Sequence, residues 1–155
     1  MDIRGILIDF GDTLGYLDEE SERRYRKGVP LILKMHGFQT SMDDLGRCLN
    51  DLHYRSSKGE FKDFGAFWSM FLAELRVSPR ANLTFELEEF RNSNRSSLFR
   101  LFDGAISVLR TLSRKYELVL VSNCSMGLRE VVEDLGIAGF FQGIVLSYEV
   151  GVRKP

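Results

Sequence analysis

Three polar clusters, each closing an apolar run, carry the residues of this 155-residue chain that could do chemistry. The first is Asp9-Phe10-Gly11-Asp12-Thr13, the second is Ser122-Asn123, and the third ends in Lys154. A carboxylate such as Asp9 can attack as a nucleophile, ligate a metal or cap a turn, and aspartate and glycine are also ordinary turn residues. Ser122 and Asn123 offer a hydroxyl and an amide, which suit phosphate oxygens. Lys154 adds a compact cation able to neutralise a phosphoryl group or a carboxylate, although one lysine alone is a common surface residue.

The elements that must position these groups are legible in the apolar runs. Ile6, Leu7 and Ile8 are consecutive and mostly β-branched, the pattern of a strand buried on both faces of a parallel sheet. Asp9 falls at the carboxyl end of that strand, where open α/β sheets place their ligands, and Gly11 lets the backbone turn tightly there. Leu118 to Val121 and Ile144 to Leu146 are two further such runs. Strands are expected near Ile3 to Asp9, Glu117 to Ser122 and Gly143 to Ser147. If they lie parallel, Asp9, Ser122 and Lys154 converge at one edge. Helices are expected from Asp103 or Gly104 to Lys115, with Ile106, Val108, Leu109 and Leu112 on one face, and from Met126 to Leu135.

Residues 15–100 have a different texture, with charged and aromatic residues at helical spacing and no convincing strand. A first helix is expected from Asp18 to His36, bent at Gly28 to Pro30 because proline lacks an amide donor. Ser41 caps a second helix that runs to Arg55. A third, from Asp63 to Arg76, carries Phe64, Phe67, Trp68, Phe71, Leu72 and Leu75, a stripe that reads as core, and Ser78-Pro79 ends it. A fourth follows with Phe85, Leu87 and Phe90. His36 and His53 lie in this region without a second metal ligand at useful spacing, and Cys48 and Cys124 read as packing residues.

Composition narrows the function. With 44% hydrophobic and 12% aromatic residues there is ample material for a packed interior. A formal net charge of -1 and the absence of a basic block disfavour nucleic-acid binding. No apolar run approaches the roughly 20 residues of a membrane span, and Met-Asp-Ile-Arg leads directly into the first strand without a secretion signal. Two distant cysteines suit a reducing compartment. A cytoplasmic protein is the expectation.

Asp9-Phe-Gly-Asp-Thr13-Leu, then Leu-Val-Ser122-Asn123, then Ser147-Tyr-Glu-Val-Gly-Val-Arg-Lys154-Pro155 resemble the first three signature motifs of the haloacid dehalogenase (HAD) superfamily, in the right order and polarity. The middle of the chain is similar only in kind, to the helical cap inserted after the first motif in one large subgroup. The resemblance implies an α/β fold: a Rossmann-like parallel sheet, incomplete at the C-terminus, formed by residues 1–14 and 101–155, with an α-helical cap at 15–100. It implies a hydrolase using Mg²⁺ to transfer phosphoryl from a small phosphorylated molecule through an aspartyl-phosphate intermediate. Asp9 would be the nucleophile, Ser122 would bond the phosphoryl oxygens and Lys154 would balance their charge, these three being catalytic. Thr13 would order the turn and, with Asn123, contact substrate. Mg²⁺ would be held by Asp9 and the backbone carbonyl of Gly11.

Two departures qualify what the resemblance implies. The position two residues after the nucleophile, a second aspartate in the superfamily's phosphatases, is Gly11, which cannot transfer a proton. Branches without that aspartate include haloacid dehalogenases, so a 2-haloacid dehalogenase-type hydrolase using the same Asp9 is an alternative. The chain also stops at Pro155, before the acidic loop that completes the family's Mg²⁺ site, so a weak or incomplete metal site is expected. A truncated, noncatalytic form acting only by binding is a further alternative, and whether the 155-residue chain is itself an enzyme turns on these departures. The first strand would also have an unpaired edge, through which self-association is expected.

Overall fold

The computed structural model describes residues 3–78 and 80–155. In chain order they form β1 (Gly5–Ile8), β2 (Gly15–Leu17), α1 (Glu19–Met35), α2 (Met42–Ser56), α3 (Phe64–Glu74), α4 (Ala81–Asn94), β3 (Phe99–Leu101), α5 (Ala105–Leu112), β4 (Glu117–Ser122), α6 (Leu128–Asp134), β5 (Gly143–Leu146) and α7 (Ser147–Val150). Pro79, the expected stop of the third helix, lies outside the described residues, as do Met1 and Asp2.

The three apolar runs become one parallel sheet in the order β1-β4-β5, with Gly5 to Ile8 beside Glu117 to Leu120, and Val119 to Ser122 beside Gly143 to Leu146. This is the α/β architecture expected from the sequence. Because strand side chains alternate, Ile6, Ile8, Leu118, Leu120, Ile144 and Leu146 share one face. They pack against Leu109 of α5 and Val131 and Val132 of α6. Right-handed crossovers stepping one way across the sheet put both helices on that side.

The other face is open. Leu7 is 73% exposed and Val145 40%. The expectation that β1 is buried on both faces is therefore wrong for Leu7: an apolar run records what a strand can bury, whereas burial needs a covering layer, and among the described residues none lies there. Two helix faces are also corrected. Ile106 and Val108 on α5 and Phe85 on α4 face outward, and Ala105, Leu109, Leu83 and Leu87 supply the buried positions instead.

The cap is a four-helix unit with its own interior, in which Val29, Leu33, Leu52, Phe67, Trp68 and Phe71 are buried. The cap expected at Ser41 is present and two more join it: the side chains of Asp18, Ser41 and Asp63 accept from the backbone N–H of Ser21, Asp44 and Ala66 at 3.0, 3.0 and 2.8 Å. The first helix runs unbroken from Glu19 to Met35 through Pro30, close to the bounds expected from the sequence. Gly28 admits a neighbour: a Cβ there would lie 2.1 Å from the Phe90 ring, which stacks on Tyr25 at 5.1 Å.

Residues 15–100 do contain strand, contrary to expectation. β2 and β3 pair antiparallel, Gly15 to Leu17 against Leu101 to Phe99, as a stem through which the chain enters and leaves the cap. Three-residue strands are too short to show a periodicity. No helix among the described residues is long and apolar enough to cross a membrane.

Candidate active site

β1 and β4 run parallel and side by side, so the residues that follow their last buried positions emerge at the same edge of the sheet. Asp9 comes directly after β1, Ser122 ends β4, and the connection after β5 and α7 returns Lys154 to them. The ammonium of Lys154 contacts the Asp9 carboxylate and also donates to the Val121 carbonyl at 3.1 Å. The backbone N–H of Phe10 donates to Asp9 Oδ1 at 2.8 Å. Burial works against the ionised form of Asp9, but hydrogen bonds from Lys154, Ser122 and Phe10 outweigh it and hold the carboxyl below its usual range. Asp9 is thus an ionised group at a strand end, faced by one buried hydroxyl and one cation.

Asn123 is turned to a structural task. Its Nδ2 donates to the Lys154 carbonyl at 3.0 Å and its Oδ1 accepts from the Lys154 N–H at 2.8 Å, so the amide grips the backbone that presents the lysine. Below it, Ser147 Oγ accepts from the Cys124 N–H at 3.0 Å and donates to the Cys124 carbonyl at 3.1 Å. Arg129 of α6 forms a two-pronged pair with Glu149 of α7, both contacts at 2.6 Å, and donates to the Ile144 carbonyl. Ser147, Arg129 and Glu149 fix the Lys154 connection and were not singled out from the sequence. Serine and an arginine–glutamate pair carry no spacing signal when their partners lie on other elements.

The turn after Asp9 is tight. The Phe10 carbonyl accepts from the N–H groups of Thr13, Leu14 and Gly15 at 3.3, 2.9 and 3.0 Å. Asp12 takes the left-handed conformation at φ 55°, which aspartate tolerates better than most side chains, and its N–H donates to the Gly15 carbonyl at 2.9 Å. Both Asp12 and Thr13 are exposed. Gly11 is exposed as well, and a Cβ built on it would meet nothing within 4 Å.

The fit of Mg²⁺ can be judged from the donors present. Asp9 offers one carboxylate, already in contact with Lys154, and the Gly11 carbonyl accepts no hydrogen bond from the described residues. No group of three His, Cys, Asp or Glu side chains able to hold a metal occurs among the described residues. The chain thus supplies two oxygen ligands, and water would complete the shell of a hard cation.

A cleft of about 370 Å³ lies between core and cap; it is lined by Phe10 and Ser122 but not by Asp9 or Lys154 themselves. Gly11, Ser122 and Asn123 form its floor, and Tyr25, His53, Phe64, Phe67, Trp68 and Arg91 its roof. The cap is held over it by the Met126 N–H, which donates to Ser56 Oγ at 2.9 Å, and by Arg153, which donates to Ser57 Oγ. Cys124 lines the cleft, but burial pushes its thiol up to about 12, which keeps it protonated and unreactive. Burial likewise pushes Cys48, in the cap interior, up to about 12. His36 faces Glu86 at 3.0 Å and does not line the cleft, whereas His53 opens into it.

A parallel α/β sheet with a helical cap inserted after the first strand is a fold that this chain shares with solved HAD-type enzymes. A HAD family enzyme from Bacteroides thetaiotaomicron matches with a TM-score of 0.68 at 19% identity over 100% of this chain and 73% of its own. The 2-haloacid dehalogenase of Pseudomonas syringae pv. tomato matches with a TM-score of 0.71 at 18% identity, over 99% and 68%. A HAD phosphatase from Thermococcus onnurineus gives 0.61 at 16%, over 99% and 66%. The Bacteroides enzyme was also solved as a complex with magnesium and inorganic phosphate. No family model matches the sequence, and no curated protein matches it. At these identities the likeness establishes the fold.

Proposed function

We propose that this chain is a HAD-type hydrolase that transfers the phosphoryl group of a small phosphate monoester through Asp9. The observation that carries the reading is the convergence of an ionised Asp9, a buried Ser122 and Lys154 at one sheet edge, where Ser122 also lines a cleft shared with the cap. Asp9 attacks phosphorus, the ester P–O bond breaks, and its electron pair leaves with the alcohol oxygen. Water then attacks the aspartyl phosphate, releasing inorganic phosphate and restoring the carboxylate. Lys154 and the Ser122 hydroxyl face the negative charge that develops on the phosphoryl oxygens. Asn123 and the Arg129–Glu149 pair keep Lys154 in place. When bound at Asp9 and the Gly11 carbonyl, Mg²⁺ would offset the repulsion between carboxylate and phosphate. The leaving oxygen must take its proton from water, because Gly11 has no side chain to give one.

Phosphate release from a panel of monoesters, with and without Mg²⁺, tests the reading. Asp9→Asn is expected to reduce turnover to background with the fold intact, and undiminished activity would reject Asp9. Gly11→Asp has room for its side chain and is expected to raise turnover by about 10²-fold, the usual scale of general acid catalysis.

A second reading has its own support. With one carboxylate paired to lysine and no acid at position 11, the same Asp9 could displace halide from the carbon of a 2-haloacid, and the Pseudomonas structure of similar fold is such a dehalogenase. Halide release from 2-haloacids, insensitive to chelators and absent in Asp9→Asn, would favour it over the phosphatase reading.

A further inference from the structure

Arg91 is the unusual residue of the cleft. It lies on α4, is only 8% exposed, and no carboxylate among the described residues comes within salt-bridge range of its guanidinium. A buried arginine is normally matched by an anion, because an uncompensated charge is costly to desolvate. The other cleft arginines are matched: Arg26 pairs with Glu22 at 2.7 Å and Arg95 with Asp134 at 3.0 Å. Arg91 has five N–H donors to place, and among the described residues only Asn92 Oδ1 accepts from it, at 2.8 Å.

The chain nevertheless holds this side chain in position. Its guanidinium lies over the Phe64 ring, 3.4 Å from the centroid. A Cβ at Gly127 would come within 2.0 Å of its Nη2, so the glycine leaves room for the fork. Two further observations point the same way. Trp68, in the same wall, has a buried indole Nε1 with no acceptor among the described residues. His53, which opens into the cleft, is driven down to about 4 by burial and by the positive charges of Arg26 and Arg91. Attraction from Glu130 and Glu88 offsets part of the Arg91 charge without a direct ion pair, and the roof therefore keeps a cation with unused donors within an otherwise aromatic wall.

We propose that the cleft selects phosphate monoesters with a flat apolar body bearing a second anionic group, and that Arg91 binds that group while the phosphoryl end sits at Asp9. This rests on the phosphatase reading for the chemistry, but not for the binding preference. Tyr25, Phe64 and Phe67 supply the apolar walls, and a cleft of about 370 Å³ lies at the small end of ligand sites. A planar fork held on an aromatic face matches a carboxylate or phosphate bidentately.

Phenyl phosphate and 4-carboxyphenyl phosphate form a matched pair of probes. Trp68, the single tryptophan of the chain, reports occupancy by fluorescence. The carboxylated ester is expected to bind at least ~10-fold more tightly, the scale of one charge-assisted contact. Arg91→Met is expected to bring the two Kd values together, and Arg91→Lys to keep part of the difference, as a point charge without the fork. Equal Kd values in the unaltered chain would overturn the proposal, as would failure of both probes to bind. So would an Arg91→Met variant that stays folded and weakens both esters by the same factor, the mark of a structural role. If Arg91→Met does not fold, Arg91→Lys decides alone: a preference as large as that of the unaltered chain would reject the need for the fork. Phosphate release is scored separately. A preference in binding without release defeats only the phosphatase reading, and release from both esters without a preference defeats only the role of Arg91.

Discussion

The two faces of the main sheet were written in the same alphabet and met different fates. Leu118, Leu120 and Leu146 on one face are fully buried beneath α5 and α6. Leu7 and Val145 on the other face are exposed, and β1 has no strand on its outer side among the described residues. The difference teaches that strand composition sets what a sheet can bury, and that connections decide which face is covered. It also separates stability from chemistry, because the closed face anchors the strand ends that carry Asp9 and Ser122.

The largest expected effect lies on the closed face. Leu120→Ala should destabilise the protein by about 2–5 kcal/mol, the usual cost of emptying a core leucine site, read as a fall in the denaturation midpoint. A loss below ~1 kcal/mol would mean that the face is loosely packed. At its rim, Arg129 lowers the pKa of Glu149 by hydrogen bonding, which outweighs the opposing effect of burial, and Tyr148 adds to it. A carboxyl so depressed contributes stability above its unfolded value, roughly 4.3, and loses it as pH falls through the lower folded value. The melting temperature should therefore drop in acid. Glu149→Gln should remove part of that drop, at a cost near neutral pH within the ~0.2–1 kcal/mol typical of exposed pairs. The smallest effect belongs to the open face. Leu7→Lys should change stability by no more than ~0.5 kcal/mol. The same variant sharpens the comparison a second way: if copies associate through the open face and free edge, light scattering should give a mass above 17.8 kDa that falls toward it in Leu7→Lys.

Much of this was legible in the sequence. Consecutive apolar residues ending in Asp9 and Ser122 gave both the parallel strands and their shared edge, because strand direction and side-chain alternation follow from local pattern. The cap at Ser41 and the aromatic stripe of α3 were readable for the same reason. What escaped was set by contacts between distant residues. The stem strands were too short to show a period, the grip of Asn123 on the Lys154 backbone needed the loops to be brought together, and Arg91 is set apart by its burial without a salt-bridge partner, which no local pattern shows.

The antiparallel stem has a consequence for how the chain finds its fold. Pairing β1 with β4 joins Gly5 to Glu117, so most of the chain must be looped out before that contact forms. Loop closure is an entropic cost that falls when the loop is already short-circuited. The cap helices are joined by short connections and can assemble early through local contacts, after which β2 and β3 clasp Gly15 to Leu101 and shorten the remaining loop. The cap that shields the cleft in the finished protein is thus also a folding scaffold for the strands beneath it. In pulse-labelled refolding, amides of α1–α4 should gain protection before those of β1.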